Sequence, residues 1–345
     1  MRQRRSGRAL ASALAAFVAV AIVVGIGIAM ERRAGAVPSD AAQVVDQMRS
    51  SAGDHDFTAM ADVRWHAASG APREATVAVE AVGGALQVSS GDQVVLDEHG
   101  HTFVADDLNW GTPPKEPRTG PQPAPGSRWH LEVHAGTTIG RPTTTVVASR
   151  PDGSVAQRLV VDDATHVLLR RDVVARDGTV EHSFHFTSFA AAPSSTGTPS
   201  STGTLASPDV RARDATALRE VPDEFHAPAT IGRGYELVGR SRKGDGVSLV
   251  YTDGMFTLTV LEQSGELDWS ALPANGASTD VEGARARRYA EPLGDVVVWQ
   301  RDGVVFTCVS DAPRDSYVAA MSSLSPGPGV VERAVDFVLG PFGFD

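Results

Sequence analysis

Histidine and carboxylate cluster at Asp54-His55-Asp56 and at Asp97-Glu98-His99-Gly100-His101. Such side chains ligate divalent cations when three or four converge. Both clusters fall at predicted turns, where Asp and Gly also recur for backbone reasons. No metal is expected at either. His182 and His185 belong to one predicted strand and fall on opposite faces, so they cannot converge alone. The chain has no G-x-S-x-G elbow, no H-E-x-x-H and no glycine loop of the phosphate-cradling type. Scattered Ser, His and Asp can still meet in space as a triad. A hydrolase therefore stays as an alternative, but no catalytic residue or cofactor is assigned, and the expectation is a protein that is not an enzyme.

Cys308 is the one cysteine, which excludes an intrachain disulfide. It lies in Val304-Val305-Phe306-Thr307-Cys308-Val309, a strand-like run that predicts a buried, inert thiol. The formal net charge is −11. Six arginines against one glutamate in the first 33 residues leave the remainder at −16. So acidic a body argues against nucleic acid, whose binding needs basic patches to displace counterions.

The elements that must hold any site begin after an apolar run, Ala9 to Met30, in which Ser12 is the one hydroxyl. As a helix it would be about 33 Å long, enough for a hydrocarbon core of about 30 Å. Arg2, Arg4, Arg5 and Arg8 precede it and Glu31-Arg32-Arg33 follow. The positive-inside rule then predicts a single-pass cell-membrane anchor, residues 9–30, with residues 1–8 cytoplasmic and the rest outside. Ala34-Gly35-Ala36 has the form of a signal-peptidase site, so a cleaved signal peptide is the alternative.

Residues 31–39 form a tether. Ser39 or Asp40 can cap a helix whose apolar positions Ala41, Val44, Val45 and Met48 recur at helical spacing. From Phe57 the period changes to two. Phe57, Ala59, Ala61, Val63 and Trp65 point one way, and Ala75, Val77, Val79 and Ala81 repeat the pattern. Short strands near 86–88, 94–96 and 102–105 continue an antiparallel meander, with turns at Gly83-Gly84, Gly91-Asp92 and His99-Gly100. Residues 107–127, rich in Pro and Gly, predict a long loop. Strands resume over 129–133, 143–148, 157–161, 167–174 and 180–186. Residues 193–204 are a perfect tandem repeat of Pro-Ser-Ser-Thr-Gly-Thr, a flexible linker between two domains. The second domain opens with a strand over 234–237. Val247–Tyr251 and Phe256–Leu261 flank Thr252-Asp253-Gly254-Met255, a hairpin signal. Strands follow over 286–289, 296–300 and 304–309, and a helix over 314–324 presents Tyr317, Ala320, Met321 and Leu324 on one face.

The stretch from Leu159 to Phe189 carries the most specific pattern. It resembles the matching strands of the LolA/RseB superfamily of periplasmic half-barrels, where an Asp-x-x-Thr turn precedes a strand with Leu-Arg, then Asp-Gly, then Phe-x-Phe-Thr. Asp162, Thr165, Leu169, Arg170, Asp177, Gly178, Phe184, Phe186 and Thr187 stand at those places. His166 replaces the common turn glycine. Leu249 to Glu262 is similar to the Tyr-Ser-Asp-Gly-Leu strand pair of the RseB (MucB) C-terminal domain, and Trp299 to Cys308 with Asp311-Ala312-Pro313 and the last helix to its closing strands. The resemblance covers both domains in order.

It implies a mainly β, α+β chain: a LolA-like antiparallel half-barrel with a helix over 40–190, a linker over 191–220, a smaller RseB C-terminal-like domain over 221–325 and a tail over 326–345. It further implies an extracytoplasmic regulator that binds a membrane anti-sigma factor, guards it from proteolysis and so controls an envelope-stress sigma factor. A lipid is the implied ligand, in an apolar cavity lined by Phe57, Ala59, Val63, Trp65, Val77 and Val79. Tyr251, Asp253, Gly254 and Met255 are the implied partner contact. A LolA-type lipid or lipoprotein carrier is the alternative. The anchor and the second domain speak against a shuttle.

Overall fold

The structure, a computed structural model, describes residues 40–51, 55–82, 85–90, 93–98, 101–106, 109–111, 128–191, 216–217, 221–222, 225–243, 246–292 and 294–324. The anchor expected over Ala9–Met30, the tandem repeat and the tail lie outside the described residues. Among the described residues no helix is long and apolar enough to cross a membrane. The chain is mainly β, with two antiparallel sheets, few helices and one compact unit built on each sheet.

The first unit opens with helix α1 (Asp40–Ser51), whose buried side includes Ala41, Ala42, Val45 and Met48. The period-two pattern then becomes β1 (Phe57–His66) and β2 (Pro72–Val82). The meander continues through β3 (Ala85–Ser90), β4 (Gln93–Glu98), β5 (His101–Asp106) and β6 (Asn109–Gly111). Three-residue β6 falls inside the stretch expected to be all loop. A second run holds β7 (His130–Thr138), β8 (Arg141–Ser149), β9 (Val155–Asp162), β10 (Leu168–Val174) and β11 (Val180–Ala191). Sheet order is β6-β5-β4-β3-β2-β1-β11-β10-β9-β8-β7, and α1 packs against β7 and β8. Val146, Ala148, Leu159, Leu169 and Phe186 form part of its core.

Two turns show why sequence and structure agree unevenly. β7 and β8 run past their expected ends into a two-residue turn, Ile139-Gly140, at φ 46° and 76°. Positive φ at both positions is the type I′ hairpin geometry, which a branched side chain resists. At the β9–β10 turn His166 takes φ 56°, the left-handed conformation a glycine would supply. Asp162 fixes that turn. Its carboxylate accepts from Thr165 N (2.9 Å) and Oγ1 (2.7 Å) and, in a bidentate pair, from Arg141 Nε (2.6 Å) and Nη2 (2.9 Å). Burial alone would raise this carboxyl, but those bonds hold it below the ordinary range.

The second unit is a nine-stranded sheet. Its strands are β12 (Thr216–Ala217), β13 (Thr230–Ile231), β14 (Tyr235–Lys243), β15 (Gly246–Thr252) and β16 (Thr257–Ser264). Then come β17 (Ala277–Val281), β18 (Ala284–Glu291), β19 (Gly294–Arg301) and β20 (Val304–Ser310). The order is β12-β14-β15-β16-β20-β19-β18-β17, with β13 paired to β14. Strands β12, β13 and β17 carry too weak an alternation to be expected from sequence. Helix α2 (Arg314–Met321) buries Tyr317, Ala320 and Met321. Tyr317 Oη donates to Asp295 Oδ2 (2.5 Å), which also takes Arg288 Nε (2.9 Å), so one buried carboxylate ties helix to sheet. Cys308 is buried and free, and burial pushes its thiol well above the ordinary range.

Candidate functional site

Cross-strand register explains how the apolar row of β1 is completed. Ala59 lies opposite Phe189, Ala61 opposite Phe186 and Val63 opposite Phe184 on β11, and Val79, Val77 and Ala75 on β2. Phe57, Ala59, Val63 and Val79 are buried, while Trp65 and Val77 are half-buried. The six residues expected to line one apolar surface therefore share one face. Four phenylalanines crowd it. Phe57 lies 5.2 Å from Phe189 and 5.9 Å from Phe186, and Phe184 meets Phe186 edge-on at 5.7 Å. Tilted and edge-on pairs at these distances suit the ring quadrupoles. Arg141 sits 5.0 Å over the Phe189 ring. Period-two reading of β1 could not show the rings; the signal was the Phe-x-Phe-Thr motif, once β11 is placed beside β1.

Polar groups interrupt this face. Arg171 shares a cross-strand row with Leu159 and Phe184 and is buried. Gln157, with its carboxamide oxygen turned toward the guanidinium, accepts from Arg171 Nε (2.5 Å) and Nη2 (2.9 Å). His182 is buried beside Trp65 in the register, whereas His185 turns to the other face, where its Nε2 lies 3.9 Å from Asp62 Oδ2. The two histidines do not meet. Among the described residues no group of three His, Cys, Asp or Glu is placed to hold a metal ion. The side chains of Asp97 to His101, and Asp54, lie outside the described residues.

A groove of about 340 Å³ lies on β2, β1 and β11. Thr58, Met60, Ala78, Glu80, Ser188 and Ala190 line it on the face opposite the aromatic one, with Ala59, Val79 and Phe189 also contributing. Its small side chains leave room around Met60, which is 39% exposed. The volume is that of a small-molecule site, but the lining has no concentration of charge beyond Glu80.

The hairpin of the second unit is closed on itself. Asp253 Oδ1 accepts from Met255 N (2.9 Å) and Phe256 N (2.8 Å). Thr252 Oγ1 donates to Phe256 O (2.7 Å) and accepts from Gly254 N (3.1 Å). Gly254 takes φ 89°, which Asp-Gly sequences supply. Tyr251, Asp253, Gly254 and Met255 are all buried. Nearby, Glu262 is 1% exposed and its Oε2 accepts from His226 N (3.1 Å). Burial lifts its carboxyl to about 7. Nothing in the alternating pattern of β16 marks this glutamate as buried.

No protein-family model matches the chain, and no curated protein matches it in sequence. Solved structures do. MucB of Pseudomonas aeruginosa, in complex with MucA, is similar at a TM-score of 0.46 and 15% identity over 84% of this chain and 99% of that one. A structure of MucB alone gives a TM-score of 0.47 and 16% identity over 85% and 100%. A LolA-superfamily protein of Nitrosomonas europaea gives 0.20 and 8% over 81% and 95%.

Proposed function

We propose that this protein is an extracytoplasmic regulator of the RseB/MucB kind. It binds the outer part of a membrane anti-sigma factor and so controls release of an envelope-stress sigma factor. The observation that carries the reading is the order of two motif-bearing β domains. In each, the motif residues have definite work: Asp162 and Thr165 set one turn, and Thr252 and Asp253 lock another. Among solved structures similar to this chain, MucB occurs bound to MucA. Here the partner is placed as a membrane protein, held in the same plane by the anchor proposed over residues 9–30. No nucleic acid, metal or cofactor enters the reading.

A lipid is the proposed signal. Phe57, Ala59, Val63, Trp65, Val77 and Val79, backed by the β11 phenylalanines, offer the apolar surface for it. The hairpin of Tyr251, Asp253, Gly254 and Met255 is buried and bonded to itself, so in this proposal it shapes the surface that a partner meets and does not touch the partner.

The test is co-purification from detergent-solubilised membranes in which the full chain and its candidate partners are expressed. Recovery of a single-pass anti-sigma factor is the expected result, and recovery of none overturns the proposal. The aromatic face keeps a second reading open, a LolA-type carrier. Mass spectrometry of the purified protein separates the two, since a carrier retains stoichiometric lipid.

A further inference from the structure

The water-facing side of an antiparallel sheet is ordinarily covered by polar side chains. At the centre of the first sheet that cover is thin. Thr58, Ala78, Ser188 and Ala190 are small, and between them lies the groove of about 340 Å³. Two of the side chains at this groove are out of keeping with their surroundings.

The first is Met60. It is 39% exposed, whereas Met48, Met255 and Met321 are buried. Its main chain is held on both sides, with N–H bonded to Ser188 Oγ and C=O to Thr187 Oγ1, while its thioether stays in the open groove. A methionine so placed is a soft apolar contact that can pack on an incoming side chain. The second is Glu80. The other carboxylates of β1 and β2 are engaged: Asp62 accepts from Thr76 Oγ1 at 2.8 Å, and Glu74 from Arg64 Nη2 at 3.1 Å. Glu80 has no hydrogen bond or ion pair among the described residues. Thr58 stands opposite Glu80 in the register, and Ser89 stands opposite Ala78, one pair along on the same face. Their hydroxyls are equally unbonded among the described residues. One carboxylate and two hydroxyls thus edge a groove whose middle is apolar.

We propose that this groove receives a lysine side chain of a partner polypeptide. The aliphatic stem lies over Met60 and Ala78, and the ammonium meets Glu80, Thr58 and Ser89. An ammonium has three N–H donors and no acceptor, and these three side chains supply acceptors only at the end where it would sit. A guanidinium would meet Glu80 with its planar fork and leave the two hydroxyls unmatched. Charge complementarity extends beyond the groove. The chain after residue 33 carries −16, a field that draws a cationic segment toward it and speeds encounter. The groove lies on the face opposite the six residues proposed for lipid, so this inference stands apart from the lipid reading.

The test uses the full chain in detergent, titrated with a fluorescein-labelled peptide, Gly-Ala-Ala-Lys-Ala-Ala-Gly, blocked at its C-terminus and followed by anisotropy. Wild type should bind it saturably, and more weakly as salt is added. Replacing the lysine by norleucine should weaken binding at least about tenfold, through loss of a charge-assisted contact. The arginine peptide should also bind less tightly than the lysine one. Glu80→Gln should lose a similar factor. Ala78→Leu keeps the charge but fills the groove, and should lose binding as well. Both positions face away from the core, so the melting midpoints should match wild type. Carbodiimide coupling should join the peptide amine to Glu80 and not to Glu74, as read by mass spectrometry. Absence of saturable binding by wild type overturns the proposal. So does a norleucine or arginine peptide that binds as tightly as the lysine one, or wild-type affinity in folded Glu80→Gln or Ala78→Leu.

Discussion

Phe186 and Phe189, three positions apart on one strand, stack their rings on the same face at 6.0 Å and 15°. In a regular strand they would point to opposite sides. A bulge opposite Met60 and Ala61 absorbs one residue and returns Phe189 to the face of Phe186. Thr187 and Ser188 hold it: Thr187 Oγ1 donates to Met60 O (3.3 Å), and Met60 N donates to Ser188 Oγ (3.2 Å). Phe186→Ala should therefore cost about 3–5 kcal/mol, as buried phenylalanines do. Half-buried Phe189 should cost roughly half that. Urea denaturation checks both, and an apolar fluorescent probe reports whether the face also binds ligand.

His166 offers a gain. Its φ of 56° strains any side chain with a Cβ. His166→Gly should stabilise the protein by about 0.5–1 kcal/mol, after the entropy cost of glycine is subtracted. Thermal unfolding should move up by about 2 °C. A lowered midpoint would mean that the imidazole makes contacts worth more than the strain.

Glu262 should make the stability of the second unit depend on pH. Its carboxyl is raised from 4.5 to about 7 by burial. The folded state then holds the proton more tightly than the unfolded one, so protonation favours folding. The contribution is full below about 4.5 and is lost as pH rises through about 7. The span is roughly 3 kcal/mol. Glu262→Gln should remove this slope and leave the unit more stable than wild type above neutrality. Chemical denaturation at several pH values measures it.

Asp253→Ala removes the acceptor of two buried backbone N–H groups and should cost about 2–4 kcal/mol. Asp253→Asn keeps an oxygen in place and should cost less. If Asp253→Asn binds the proposed partner as wild type does while Asp253→Ala does not, the hairpin acts through its shape and not through its charge.

Much of the strand pattern was legible because alternation is a local property. β1, β2 and the β15–β16 hairpin follow directly from it. The helix carrying Val45 and Met48 and the one carrying Tyr317 follow from their spacing in the same way. Long-range facts were not legible. That β11 lies beside β1 depends on pairing between distant segments, and no periodicity encodes it. The Ile139-Gly140 turn escaped because isoleucine is a poor sign of positive φ. The burial of Asp253 and Glu262 escaped because an acidic residue, in a turn or in a strand, reads as solvent-facing until its neighbours are known.

Strand β1 sits at the middle of its sheet, between β2 and β11, with Met60 and Ser188 128 residues apart in the chain. A polypeptide appears N-terminus first. β1 is thus made early and waits for almost the whole domain before its second neighbour exists. The arm from β2 to β6 can close by local hairpins, but Phe57 and its row stay uncovered on the β11 side throughout. Contacts so remote form slowly and leave apolar surface open to wrong partners. Synthesis stopped short of β11 would therefore leave a chain with an unfinished sheet centre and not a smaller stable domain. That places the greatest demand for chaperone protection on this protein before residue 180 has appeared.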